Sequence, residues 1–198
     1  MLCLLVAATA PGQAQGPWHP KPQPTGPWMN TSLSPDQRAD LVMKQMTLDE
    51  KIALLHGVGM PTDEPVTPEN AASNRGVGYV IGVPRLGIPG IDMSDAAYGV
   101  RSSGVNGRYS TALPANVAAA ASWDVHAAYE YGALIGRELR AQGFNMSLGG
   151  GVDLTRDPRN GRTFEYLGED PVLAGTLVAQ LIQGTQSENV IGDIKHYA

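Results

Sequence analysis

Apolar residues recur along this chain in two alternating rhythms, and the switches between them predict its elements. Val125, Ala128, Tyr129, Gly132, Ile135 and Leu139 fall at helical spacing. A helix is therefore expected over 125–142, capped by Asp124 and ended by Gly143. Residues 144–148 then read as a strand, and Gly149-Gly150-Gly151 leads out of it into a loop. Asp170-Pro171 opens another helix with Leu173, Leu177, Val178 and Leu181 inward and Gly184 near its end, and 190–194 reads as a strand. Upstream, 77–81 and 88–93 are short β-type runs split by glycine and proline. Nearer the start, Ser34-Pro35-Asp36 opens a helix whose apolar face holds Leu41, Val42 and Met46. The capping box Thr47-Leu48-Asp49-Glu50 opens the next, expected to stop at Gly57.

Strands alternating with helices are the pattern of a parallel α/β fold. Polar residues follow the strand ends: Asp95 after 88–93, a charged loop after 144–148, and Lys195-His196 after 190–194. Both a (β/α)8 barrel and an open doubly wound sheet put ligands at that rim, so the pattern leaves the two open. Gly76-Val77-Gly78 does not start a dinucleotide fingerprint, because Ile81 stands at the third glycine position and no helix follows.

Composition narrows the class. A net charge of −5 without a basic block argues against nucleic-acid binding. With 42% hydrophobic residues there is material for a core, and 24 glycines and 15 prolines suit many tight connections. Residues 1–14 resemble a signal-peptide core: apolar through Ala10, with small residues by Gly12-Gln13-Ala14, but without a positive n-region and too short to span a bilayer. A periplasmic or secreted location follows as an expectation, and cleavage would remove Cys3, the single cysteine. Residues 15–29 form a proline-rich linker in which Trp18 and Trp28 either pack back on the domain or ride on a spacer. Residues 30–198 make up the domain. No metal-ligand spacing is present and no cofactor is implied.

The charged loop carries Arg156, Asp157, Arg159, Arg162 and Glu165 in alternating sign. Such a loop can satisfy itself through arginine–carboxylate forks, or it can use them to hold one guanidinium toward a polar ligand.

The loop text, R-D-P-R-N-G-R-T-F-E-Y-L-G-E-D-P-V-L-A-G, resembles the signature segment of family 3 glycoside hydrolases, the β-glucosidase group. Three further elements are similar to that family in the same order: Met46-Thr47-Leu48-Asp49-Glu50-Lys51-Ile52, then Met93-Ser94-Asp95-Ala96-Ala97-Tyr98-Gly99-Val100-Arg101, then Ile194-Lys195-His196-Tyr197-Ala198. The resemblance implies a TIM-like barrel. A complete one needs about 250 residues, so these residues would be its first half. It also implies that Asp95, Arg162, Lys195 and His196 hold hydroxyls of the terminal sugar. Arg156, Asp157 and Arg159 are then expected to pair within the loop as scaffold. The family's usual Asp-Gly-Pro is Asp95-Ala96-Ala97 here, so the turn after the carboxylate must be built differently.

The implied activity is exo-acting hydrolysis of β-glucosides or oligosaccharides by a retaining mechanism, which needs two carboxyl groups about 5–5.5 Å apart. In the family the nucleophile and the acid/base lie in later segments. No catalytic residue is therefore assigned here: Asp95 matches a hydroxyl binder, and Glu165 and Glu169 are read as support for their own loop. The alternatives are a β-xylosidase or β-N-acetylhexosaminidase of the same superfamily, or a non-catalytic sugar-binding remnant. Tyr197-Ala198 after the Lys-His pair speaks against the hexosaminidase branch.

Overall fold

The computed structural model describes residues 25–60, 65–101 and 109–196. The signal-like segment 1–14, Trp18 and Tyr197-Ala198 lie outside the described residues.

The fold is mixed α/β around a four-stranded, mostly parallel sheet. Strands β1 (Gly78–Val80), β2 (Ile91–Ser94), β3 (Met146–Gly151) and β4 (Ile191–Lys195) lie side by side in chain order. β2, β3 and β4 run parallel, with Met93 opposite Met146 and Met146 opposite Ile191. β1 instead runs antiparallel to β2, pairing Gly78 with Met93 and Val80 with Ile91, which corrects the expectation of an all-parallel sheet. The cause is the connection. Residues 81–90 hold only a 3-10 turn, Pro84–Leu86, closed by Gly87 at φ 66°, whereas a parallel crossover takes a dozen residues or more.

Among the described residues five α-helices accompany the sheet: α1 (Pro35–Met43), α2 (Leu48–Ala53), α3 (Asn116–Ala120), α4 (Val125–Ala141) and α5 (Pro171–Ser187). Ser34 and Thr47 both form complete capping boxes, with Gln37 and Glu50 returning bonds to the cap backbone. Asp124 and Asp170 each accept two backbone N–H bonds in the first turns of α4 and α5. α2 ends at Ala53, before Gly57, and α3 has no counterpart in the periodicity because its alanines suit helix without marking a face. Val125, expected on the buried stripe of α4, is 47% exposed; Ala128 and Tyr129 are half-buried, and the buried positions start at Gly132, two turns on.

α4 and α5 pack on each other along a glycine seam. A Cβ on Gly132 would stand 1.9 Å from the Leu181 carbonyl oxygen, and one on Gly184 would stand 2.1 Å from that of Tyr129. Thr185 sits in the seam, donating its hydroxyl to the carbonyls of Gly132 and Leu181. One core cluster joins Ala96, Val100, Ile135, Leu139, Phe144 and Val190; another joins Ala120, Leu167, Ala174, Leu177 and Val178. At the other end, Trp28 packs with Val83 and Leu86 under α1, so this tryptophan does fold back. Arg85 bonds both carboxylate oxygens of Glu50, at 2.6 and 2.5 Å, and clamps α2 to the 3-10 turn.

The glycine run does not lie in a loop. β3 continues through Gly149, Gly150 and Gly151, where Cβ atoms would meet the carbonyl oxygens of Ala96, Asp193 and Glu165 at 2.2–2.8 Å. Bare backbone there lets the neighbouring chain segments close on the strand.

Candidate functional site

The three parallel strands end at one edge, and each delivers a polar residue to it. Asp95 follows β2 directly, Asp153 follows β3 by two residues, and Lys195 closes β4 with His196 next. The turn after Asp95 is built without the Gly-Pro pair. Ala96 and Ala97 are buried, Gly99 takes φ 121°, and the Tyr131 hydroxyl donates to the carbonyls of Ala97 (3.0 Å) and Pro114 (2.7 Å). Burial raises the Tyr131 pKa well above the ordinary phenol value and keeps it a donor. Asp95 is thereby held within reach of Lys195 Nζ at 3.4 Å and Arg101 Nη1 at 3.5 Å. The Lys195 side chain is 15% exposed against 34% for Asp95, so the pair is anchored on the lysine side and open on the other.

The charged loop supplies the facing part. Asp157 and Arg159 form a fork at 2.8 and 3.1 Å, as expected of scaffold. Arg156 makes no ion pair among the described residues, nor does Glu169, which is exposed; neither supports the loop as expected. Glu165 does. It is buried in the 3-10 turn Thr163–Glu165, its carbonyl accepts from Asn116 Nδ2 at 2.9 Å, and its carboxylate binds Arg162 Nε. That hydrogen bond raises the Arg162 pKa further. Arg162 is thus anchored at Nε while its side chain stays 52% exposed, so it serves both as a scaffold contact and as a presented guanidinium.

The two halves meet at His196, whose Nε2 faces Arg162 Nη2 at 3.1 Å. On its other side, Nδ1 lies 2.7 Å from Asp153 Oδ2, and the His196 backbone N–H donates to Oδ1 at 3.1 Å. A guanidinium has no acceptor, so the contact with Arg162 is a hydrogen bond only where Nε2 presents its lone pair. Burial works against the Asp153 carboxylate, yet hydrogen bonds from His196 and Tyr166 outweigh it and hold its pKa below the ordinary value. Tyr166, buried and bonded to Asp153, is pushed up to about 12. Arg162 also stands 5.9 Å above the Tyr166 ring. Outside this polar wall, Tyr98 and Phe164 meet edge to face at 5.4 Å.

All four residues singled out in the sequence, Asp95, Arg162, Lys195 and His196, therefore converge on one rim. Asp153, Arg101 and Tyr166 were not singled out. Asp153 obeys the rule that flagged Asp95, an acid just past a strand end. The rule reaches it once β3 is seen to run through Gly151 and not to stop at residue 148.

In α/β proteins the C-terminal edge of parallel strands is where small polar ligands bind, and here that edge carries fixed side chains of both charges. The sequence places the chain within that class. It belongs to glycosyl hydrolase family 3: the family model described as the glycosyl hydrolase family 3 N terminal domain matches residues 47–198. Beta-glucosidase 1 of Aspergillus aculeatus is 36% identical over 184 residues, which are 91% of this chain and 19% of that protein. The probable beta-glucosidase A of Aspergillus niger is 38% identical over the same shares. Among solved structures, beta-glucosidase 3B from Thermotoga neapolitana in complex with alpha-D-glucose superimposes with a TM-score of 0.71 at 32% identity, covering 80% of this chain and 23% of that one. DesR, a beta-glucosidase from Streptomyces venezuelae in complex with D-glucose, gives 0.70 at 37% identity, covering 81% and 19%. The chain spans about a fifth of the length of these relatives.

Proposed function

We propose that these residues form the glycon-binding part of an exo-acting, retaining β-glucosidase, and that Asp95, Arg162, Lys195 and His196 hold hydroxyls of the terminal sugar. The observation that carries this reading is their convergence on one strand-end rim, in a chain whose relatives are β-glucosidases solved with glucose. A pyranose offers several hydroxyls, each a donor and an acceptor, and this wall sets cations beside carboxylates within hydrogen-bond range. Charged hydrogen bonds made from rigid strand ends are short and directional, and those that tighten in the transition state accelerate the reaction.

The sheet fits the opening strands of a (β/α)8 barrel, with β1 antiparallel ahead of the parallel set. The nucleophile and acid/base are assigned to segments outside these 198 residues. The carboxylates at this wall support that: Asp95 pairs with Lys195 and Arg101, Asp153 with His196, and Glu165 with Arg162. Each is engaged by a cation or a donor, and none stands free to give a proton to a leaving group or to attack a sugar. Residues 1–14 are assigned to export and 15–29 to a linker, in a secreted or periplasmic enzyme. No described helix is long and apolar enough to cross a membrane.

The test is a panel of aryl glycosides on the full protein that carries this chain. Hydrolysis of β-glucoside with retention, weakened in Asp95→Asn, supports the reading. Preference for β-xyloside or β-N-acetylglucosaminide moves it to those activities, and glucose binding without turnover of any substrate leaves a sugar-binding protein.

A further inference from the structure

We infer that Asp153 is a positioning residue that fixes His196 as the Nδ1–H tautomer, so that Arg162 and His196 together recognise a single sugar hydroxyl as donor and acceptor at once. The inference rests on the glycon-binding reading of the rim and specifies its hydrogen-bond polarity. Asp153 grips His196 twice, through Nδ1 at 2.7 Å and through the backbone N–H at 3.1 Å, so both ring and main chain are held. The carboxylate has no proton to give, so Nδ1–H must donate. On the far side, Arg162 can only donate, and its own position is set by Glu165 beneath it. The edge between Arg162 and His196 thus joins an obligate donor to an obligate acceptor, 3.1 Å apart and on exposed side chains.

A hydroxyl can replace that direct contact without loss. Its oxygen accepts from the guanidinium while its hydrogen donates to Nε2. Fluorine in the same place could accept but not donate, and would leave Nε2 unpaired; an ether would fail in the same way. The arrangement also excludes a tempting misreading. Asp153 and His196 look like a proton-transfer dyad, but Nε2–H would point at a guanidinium that cannot accept it.

The experiment uses the full protein. Nitrogen-15 NMR of the histidine rings, with His196 assigned by its loss in His196→Gln, reads the tautomer without any sugar present. The expected result is protonated Nδ1 and bare Nε2. Inhibition by glucose is then compared with its monofluoro analogues, one per ring position. One position should lose about tenfold or more in affinity on fluorination. In Asp153→Asn the one amide oxygen stays on the His196 backbone N–H and the NH2 takes the place of Oδ2 against Nδ1, so the ring signals should shift toward the other tautomer and the fluorine penalty at that position should shrink. Asp153→Glu should restore part of both. A protonated Nε2 in the wild-type protein overturns the inference, as does an Asp153→Asn protein with unchanged ring signals and an unchanged fluorine penalty. If the tautomer is as stated but glucose does not bind at all, the glycon-binding reading has failed, and the hydroxyl pairing falls with it. That outcome is separate from an incorrect tautomer.

Discussion

Lys195 and Asp95 stand 100 residues apart in the chain and 3.4 Å apart at the C-terminal edge of the sheet. The pair closes a span that includes α3, α4 and β3, so the order of the parallel strands decides whether the site exists.

Asp95→Asn tests the pair without changing its shape. The amide keeps one acceptor but gives up the charge that faces Lys195 and Arg101. Loss of a charged hydrogen bond to a hydroxyl costs roughly 1.5–3 kcal/mol, so kcat/KM on an aryl β-glucoside should fall by about ten- to a hundredfold. Lys195 keeps the amide oxygen as its acceptor, and Arg101, 71% exposed, can be solvated, so melting should shift little. Steady-state kinetics beside a thermal melt checks both; a large drop in melting temperature with unchanged activity would contradict the ligand role.

What could be read from the sequence depended on how local each signal was. The caps at Ser34, Thr47, Asp124 and Asp170 involve bonds across two or three residues, and all four were legible. The rim residues were legible by their places after strands and by family resemblance. The direction of β1 was not, because it depends on how long a connection must be to cross over. Nor was the role of Gly149-Gly150-Gly151, which depends on carbonyls from residues 96, 165 and 193 that only the folded chain brings near. The dual duty of Arg162 was missed for the same reason: a loop of alternating charge allows several pairings, and burial of Glu165 selects one.

Two glycine-to-alanine changes should have opposite signs. At Gly132 the new Cβ would stand 1.9 Å from the Leu181 carbonyl oxygen, which forces α4 and α5 apart. Overpacking of this kind costs about 1–3 kcal/mol, more than the ~1 kcal/mol gained in helix propensity. At Gly175, in α5, nothing lies within 4 Å of the Cβ, so the propensity gain stands alone. Denaturant unfolding of the two variants should show Gly132→Ala below and Gly175→Ala above the parent protein.

Glu50 links acidity to the N-terminal helices. Its side-chain bonds to Arg85, then its backbone bond from Thr47, lower its pKa to about 2. A carboxylate held that low stabilises the fold fully above the ordinary value of 4.5, and the contribution is lost as pH falls toward 2. Glu50→Gln retains an acceptor for the capping box but loses the charge facing Arg85. Stability followed by denaturant between pH 7 and 2 should therefore show a shallower acid slope in the variant below about pH 4.5. Identical slopes would mean that the pair is not formed in solution.

Arg162 and Arg159 offer the sharpest contrast in the charged loop, and the structure reverses the stability ranking that sequence suggests. Arg159 pairs with Asp157 in the open, with side chains 89% and 50% exposed, and such a bridge contributes about 0–1 kcal/mol. Arg159→Ala should therefore melt close to the parent and keep its kcat/KM. Arg162 covers a Glu165 side chain that is 9% exposed. Arg162→Ala leaves that carboxylate buried without its cation, a change that costs about 3–5 kcal/mol when burial is complete and less here, because solvent reaches the arginine. It should lose stability and activity together. Arg162→Ala with Glu165→Gln removes the stranded charge, so stability should largely return while kcat/KM stays low, because the donor to the hydroxyl is still missing. Melting temperature and kcat/KM for all three proteins separate the two duties of this residue. If the double variant recovers activity along with stability, Arg162 is scaffold only, and its guanidinium does not touch the sugar.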